Sequence, residues 1–206
     1  GYGYVGGARP SNQGKLHPGA DDNASGTTGV LMLARRLRDA YAALPEGTEA
    51  RSILFLCFTG EEMGLLGSDY FVKHSPIASD AIYAMINIDM IGRLGDLGLE
   101  IGGVGTAEGF EDLITPALER SGLKYHTTTS GIGPSDHASF HRAGTTVLFF
   151  FTGTHADYHQ PGDLPYKVNV EGGVQVIGLI QDIAMMLALR PEALVFKQTT
   201  GGPKGP

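Results

Sequence analysis

The sequence predicts an α/β fold: a three-layer sandwich in which a central, mostly parallel mixed sheet is flanked by helices. Two observations predict it. Strand-length apolar runs alternate along the chain with segments of helical period, the order that builds a parallel sheet through helical crossovers. Several acids and one histidine fall at the ends of those apolar runs, the edge where open sheets of this kind gather their functional loops.

Residues 25–41 place Val30, Leu33, Ala34, Leu37 and Tyr41 on one stripe, with Asn23 or Ser25 as N-cap and Pro45 beyond the end, which predicts a helix. Residues 52–59 are a continuous apolar run bounded by Gly60, as expected of a strand buried on both faces. Cys57 lies in that run and reads as a small buried residue. Residues 62–74 predict a helix containing Gly64 and Gly67. Apolar runs at 81–91 and 97–102 predict two strands, and 107–120 an amphipathic helix carrying Phe110, Leu113, Ile114 and Leu118. Residues 123–129 and 145–152 add two strands, and 170–189 a long helix with Val174, Ile177, Ile180 and Ile183 toward the core.

A chain of 206 residues with 42% hydrophobic content can bury one sizeable core, and neither a repeat nor a shift in composition marks a second one. Residues 1–197 are therefore expected to form a single domain, and 198–206, rich in Gly, Pro and Thr, a disordered tail. The 15 basic and 22 acidic residues give a net charge of -7 without a Lys/Arg cluster, which argues against nucleic acid and against an anionic membrane surface. The apolar stretches read as too short to span a bilayer. One cysteine excludes an intrachain disulfide. The opening Gly1-Tyr2-Gly3-Tyr4-Val5-Gly6-Gly7 reads as the middle of a loop, so the domain is expected to be N-terminally incomplete.

Asp22, the pair Glu61-Glu62, Asp89 and His159 carry the chemistry. Hard oxygen ligands together with imidazole suit a hydrolytic zinc site that keeps one coordination position open. Each has a plainer role by itself. Asp21-Asp22-Asn23 would cap a helix, Glu61-Glu62 would favour a helix dipole, and His159 would be an ordinary loop histidine. Asp89 is harder to dismiss, because an ionised carboxylate ending the apolar run 84–88 is costly without a partner. Their joint placement at strand ends favours one common site.

Five motifs occur in a telling order: Gly19-Ala20-Asp21-Asp22-Asn23-Ala24-Ser25-Gly26, Thr59-Gly60-Glu61-Glu62-Met63-Gly64-Leu65-Leu66-Gly67-Ser68, Asn87-Ile88-Asp89-Met90-Ile91-Gly92, Ser135-Asp136-His137-Ala138-Ser139-Phe140 and Tyr158-His159-Gln160-Pro161-Gly162-Asp163. The chain thereby resembles the co-catalytic zinc aminopeptidases, a family related to glutamate carboxypeptidase and to the non-enzymatic transferrin receptor ectodomain, over residues 17–169.

The resemblance implies that Asp22 bridges two zinc ions, that Glu62 and His159 complete one zinc site, and that Asp89 serves the other. It implies Glu61 as the general base that takes a proton from a metal-bridging water and passes it to the leaving amine. Tyr158 matches a tyrosine that stabilises the oxyanion. Asp21 and Asn23 are expected to be loop and cap residues, and Asp136 and His137 to lie close to the substrate pocket with either a supporting or a substrate-contacting part. His17, His74, His126, His141 and His155 match no ligand position and are expected at the surface or in loops.

One departure matters. The family takes a histidine ligand from a His-x-Asp motif shortly before the Gly-Ala-Asp-Asp loop, and this chain has no histidine before His17. One zinc site is complete as written and the other lacks its histidine, which a missing N-terminal segment of the same protein would supply. The implied function is zinc-dependent exopeptidase action on a peptide with a free N-terminus, by an aminopeptidase in a secreted or periplasmic setting. A dipeptidase or carboxypeptidase activity, a single-zinc glutaminyl cyclase and a non-catalytic module of the transferrin-receptor kind remain as alternatives.

Overall fold

The computed structural model describes residue 12 and residues 14–200. Five helices, α1 (Gly26–Ala42), α2 (Leu66–His74), α3 (Phe110–Ser121), α4 (His137–Arg142) and α5 (Val170–Leu189), accompany four strands, β1 (Met85–Ile88), β2 (Leu99–Gly102), β3 (Tyr125–Thr128) and β4 (Val147–Phe151). The sheet order is β1-β4-β2-β3. β1 pairs with β4 and β2 with β3 in parallel, while β2 and β4 run antiparallel. The expected α/β architecture with a mostly parallel mixed sheet is present.

Alternation along the strands sorts side chains into two layers. Ile88, Leu99, Ile101, Leu148 and Phe150 join Leu33 and Leu37 of α1, Ile114 and Leu118 of α3, and Ile177, Ile180 and Ile183 of α5 in one core. Asn87 and Phe149 point the other way, where His137 of α4 stacks on the Phe149 ring at 4.4 Å and hydrogen-bonded contact reaches Asn87. Both layers are thus closed by helices, with α2 and α4 packed together on the second.

Several expectations fail for identifiable reasons. Residues 52–59 form no strand: residues 52–58 make no backbone hydrogen bond within the described residues, and Leu54, Phe55 and Cys57 are exposed. A strand requires a neighbour on the ladder, and among the described residues this segment has none, lining with the outer edge of β1 a cleft of about 1570 Å3. The predicted helix at 62–74 splits into a 3-10 turn, Glu61–Met63, and α2, because Gly60, Gly64 and Leu65 all take positive φ. Helix α4 is too short to leave a periodic signature. Val174 is 37% exposed, the buried stripe of α5 running instead through Val176, Ile177, Ile180, Ile183 and Leu187.

The apolar segments are also longer than expected. Helix α5, 20 residues of mean hydropathy 1.6, has the length and composition to cross a membrane, but it packs on α1 and α3 as the core helix of this fold. At the C-terminal end, Gln198 and Thr199, placed in the tail by the sequence, bond the buried His141 ring. Residues 201–206 of that tail lie outside the described residues, as does the whole of the glycine-rich opening.

Candidate active site

Asp22 sits in an irregular turn, Ala20–Ser25, that Gly19 enters with a φ of 61°. Asn23 ties this turn to the end of β1. Its Oδ1 accepts from the backbone N–H of Gly26 (2.9 Å) and of Met90 (3.2 Å), and its Nδ2 donates to the Ile88 carbonyl (3.1 Å). The expected cap residue therefore also fixes Asp22 beside Asp89. Asp21 is fully buried, accepting from Gly92 N (2.6 Å) and Ser25 Oγ (2.9 Å) and facing His155 Nε2 at 3.1 Å.

Glu61 and Glu62 occupy the tight turn after 52–59. Gly67 lets α2 start against the Thr59 backbone, since its N–H donates to Thr59 O at 2.9 Å and a Cβ there would stand 2.5 Å from that oxygen. His159 rides a turn closed by Gln160 N to Asp157 O and Asp163 N to Gln160 O. Both His159 (φ 53°) and Met90 (φ 49°), the residue after Asp89, hold left-handed backbone conformations. Such conformations cost about 1–2 kcal/mol in non-glycine residues and concentrate at functional sites.

These loops converge. His159 Nε2 lies 3.1 Å from Asp22 Oδ2 and 3.1 Å from Glu62 Oε2, and one ligand atom from each of the three residues falls within 4.8 Å of the others. Zinc bonds of about 2.0–2.1 Å in a tetrahedron set ligand atoms roughly 3.3 Å apart, so this donor set fits zinc. Asp89 stands outside the triad but acts on it electrostatically. Its Oδ2 accepts from Ser135 Oγ at 2.8 Å, and its Oδ1 is buried with no hydrogen-bond partner among the described residues, which also fits a ligand role.

The electrostatics are those of crowded, half-desolvated acids. Burial first, then Glu62 and Asp89, push Asp22 up to about 7. Burial first, then Asp89 and Glu62, push Glu61 up to about 8. Burial raises Asp89 to about 6 against the opposing Ser135 hydrogen bond. Carboxylates so placed call for a cation. Tyr158 stacks on the His159 ring at 3.7 Å, and burial followed by the same acids lifts its hydroxyl to about 12, so it stays a proton donor.

Sequence reasoning passed over four residues. Ser135 orients Asp89 and Asp163 braces the Asp22 turn, each standing in a quoted motif without an assigned role. Arg93, which holds Asp163, and His155, expected to be an ordinary loop residue, carry no local signal because their partners are distant in sequence. His141 and His17 are buried rather than at the surface. Asp136 is half-buried with its carboxyl pushed up by burial, and His137 is a buried wall residue held neutral, its pKa lowered by burial to about 4.

A mixed sheet flanked by helices, with a carboxylate and imidazole cluster in loops beside the carboxyl ends of β1 and β4, has the layout of a metallopeptidase. The chain belongs to peptidase family M28, whose model matches residues 6–180. It is 34% identical over 186 residues to the aminopeptidase YwaD of Bacillus subtilis (strain 168), covering 85% of this chain and 39% of that protein. Among solved structures it is similar to the aminopeptidase from Aneurinibacillus sp. strain AM-1 (TM-score 0.68, 29% identity, 89% of this chain and 43% of that one) and to BSAP, a zinc aminopeptidase from Bacillus subtilis (TM-score 0.70, 26% identity, 89% and 46%). The chain spans less than half the length of the curated relatives it matches.

Proposed function

We propose that this chain carries the catalytic centre of a zinc aminopeptidase that removes the N-terminal residue of a peptide. The convergence of Asp22, Glu62 and His159 beside Glu61 is the observation that carries this reading. Asp22, Glu62 and His159 would hold one zinc, and Asp22 with Asp89 the second. Bound zinc supplies Lewis acidity toward the scissile carbonyl and toward water. Glu61, beside the ligand Glu62 and half-buried among the same acids, takes the proton of the attacking water and returns it to the departing amine. Tyr158 donates its hydroxyl to the oxygen that becomes negative as the carbonyl is attacked. The site's surplus of carboxylates favours a substrate with a free, positively charged α-amine.

The resemblance implies a histidine ligand for the second site, and no residue of the given sequence matches it. The cleft between residues 52–59 and the edge of β1 that is unpaired among the described residues opens onto Asp22, Glu61, Glu62 and Asp89, which leaves room there for a further ligand to the second zinc. The reading includes a secreted or periplasmic location, to be checked by fractionating the producing cells.

The test is zinc content per chain, read alongside hydrolysis of an aminoacyl p-nitroanilide by the purified protein and by Glu61→Gln. Near two zincs, with turnover abolished in the variant, supports the reading. One zinc or none without turnover supports an incomplete or non-catalytic form of the scaffold, as in the transferrin-receptor alternative.

A further inference from the structure

We propose that Asp163 is the positioning residue that fastens the loop bearing Asp22 to the loop bearing His159 and so sets the metal affinity of the site. The inference rests on the zinc-site reading above. Three successive backbone N–H groups converge on this one residue: Ala20 N donates to its carbonyl (3.3 Å), and Asp21 N (2.9 Å) and Asp22 N (3.0 Å) both donate to its Oδ2. The side chain is buried.

Its other oxygen is held from behind. Arg93 reaches Oδ1 at 3.2 Å and also Asp157 at 3.3 Å, and Asp157 takes Lys167 at 2.7 Å. Asp163 closes the turn 160–163, which follows directly on the turn 157–160 that carries His159. A shift of its carboxylate therefore moves both His159, through the turn, and Asp22, through the amides. Of the polar residues around the triad, Asp163 touches the backbone of one ligand and closes the turn that adjoins another.

The charge on Asp163 is essential to this arrangement. A carboxylate accepts on both oxygens, from two amides on one side and a guanidinium on the other. The amide of Asp163→Asn can satisfy one side only, its NH2 then facing either Arg93 or the Asp21 and Asp22 amides as donor against donor. The ligand loops would separate. Loss of such a support costs metal sites about 10- to 100-fold in affinity.

The experiment measures zinc affinity by chelator competition in the native protein, Asp163→Asn and Asp157→Asn, with the visible spectrum of the cobalt-substituted forms and thermal unfolding of the metal-free forms. We expect about 10- to 100-fold weaker zinc binding and an altered cobalt spectrum in Asp163→Asn, and a smaller loss in Asp157→Asn, whose side chain reaches Asp163 only through Arg93. If Asp163→Asn fails to fold, Arg93→Lys, which loosens Asp163 from behind, is judged by the same two readouts. A folded variant with a lower melting temperature but native zinc affinity and cobalt spectrum would make Asp163 a staple of the fold and overturn the proposal while leaving the zinc site intact. Failure of the native protein to bind zinc would overturn both.

Discussion

Ser135 Oγ and Asp89 Oδ2 stand 2.8 Å apart, and the direction of that hydrogen bond is fixed by a third group. Asn87 Nδ2 donates to the same hydroxyl at 2.8 Å, so the serine proton goes to Asp89. This holds Asp89 with Oδ1 free to bind metal. Removing the hydroxyl in Ser135→Ala leaves the buried Asn87 amide short of an acceptor, a cost of about 1–3 kcal/mol, and takes away the bond that opposes the upward shift of Asp89. We expect zinc affinity at the Asp89 site about 10-fold lower and a binding midpoint displaced to higher pH, measured by titration calorimetry between pH 6 and 8. An unchanged pH midpoint would mean that Ser135 does not set the ionisation of Asp89.

The carboxylates make the metal-free protein pH-sensitive in a definite direction. Asp22 at about 7, Glu61 at about 8 and Asp89 at about 6 all lie above their ordinary values of 3.8, 4.5 and 3.8. The folded state thus binds protons more tightly than the unfolded one, and the associated stability, fully present below about pH 4, drains away as pH rises through 6 to 8. Zinc competes for the deprotonated forms and relieves their repulsion. Thermal unfolding with and without zinc should therefore show a metal-free melting temperature that falls from pH 5 to pH 8 and a zinc-induced rise that grows over the same interval. A zinc effect that shrinks with pH would contradict the assignment of these acids to the metal.

Much of this architecture is legible in the sequence because its information is local. Helix α5, expected at 170–189, is found there, and α1, α3 and all four observed strands fall within two to four residues of their expected ends. The run 52–59 has the composition of a central strand but finds no ladder partner, and only the three-dimensional neighbourhood could reveal that. The donor set of Asp22, Glu62 and His159 was visible as a pattern of motifs. The bracing by Asp163 and Arg93 was not, since hydrogen bonds across 70 to 142 residues leave no spacing to read.

Tyr158 separates ring from hydroxyl. Its ring packs on His159 at 3.7 Å, while its hydroxyl, lifted to about 12, remains a donor through the neutral pH range. Tyr158→Phe keeps the stacking surface and deletes the donor. With the oxyanion role, kcat on an aminoacyl p-nitroanilide should fall about 10²- to 10³-fold, with zinc affinity unchanged. A fall in zinc affinity at constant kcat would instead make the tyrosine a brace for His159.

Gly26 and Gly178 are both helical glycines, and the structure gives them opposite responses to alanine. A Cβ at Gly178 in α5 meets nothing within 4 Å, so Gly178→Ala should stabilise the protein by about 0.5–1 kcal/mol through helix propensity and a less disordered unfolded chain. A Cβ at Gly26, the first residue of α1, would stand 2.3 Å from Asn23 Oδ1 and 2.4 Å from the Ile88 carbonyl oxygen. The backbone oxygen cannot retreat without moving β1, so Asn23 must leave and its bonds to Gly26, Met90 and Ile88 are lost. At about 0.5–1.5 kcal/mol per bond, that loss exceeds the gain in propensity, and Gly26→Ala should destabilise the fold by about 1–3 kcal/mol in chemical denaturation. Because Asn23 also ties Asp22 to the end of β1, zinc affinity should fall in Gly26→Ala and in Asn23→Ala alike, while Gly178→Ala leaves it untouched. Loss of stability without loss of zinc affinity would show that the Asp22 turn keeps its place without the Asn23 clamp.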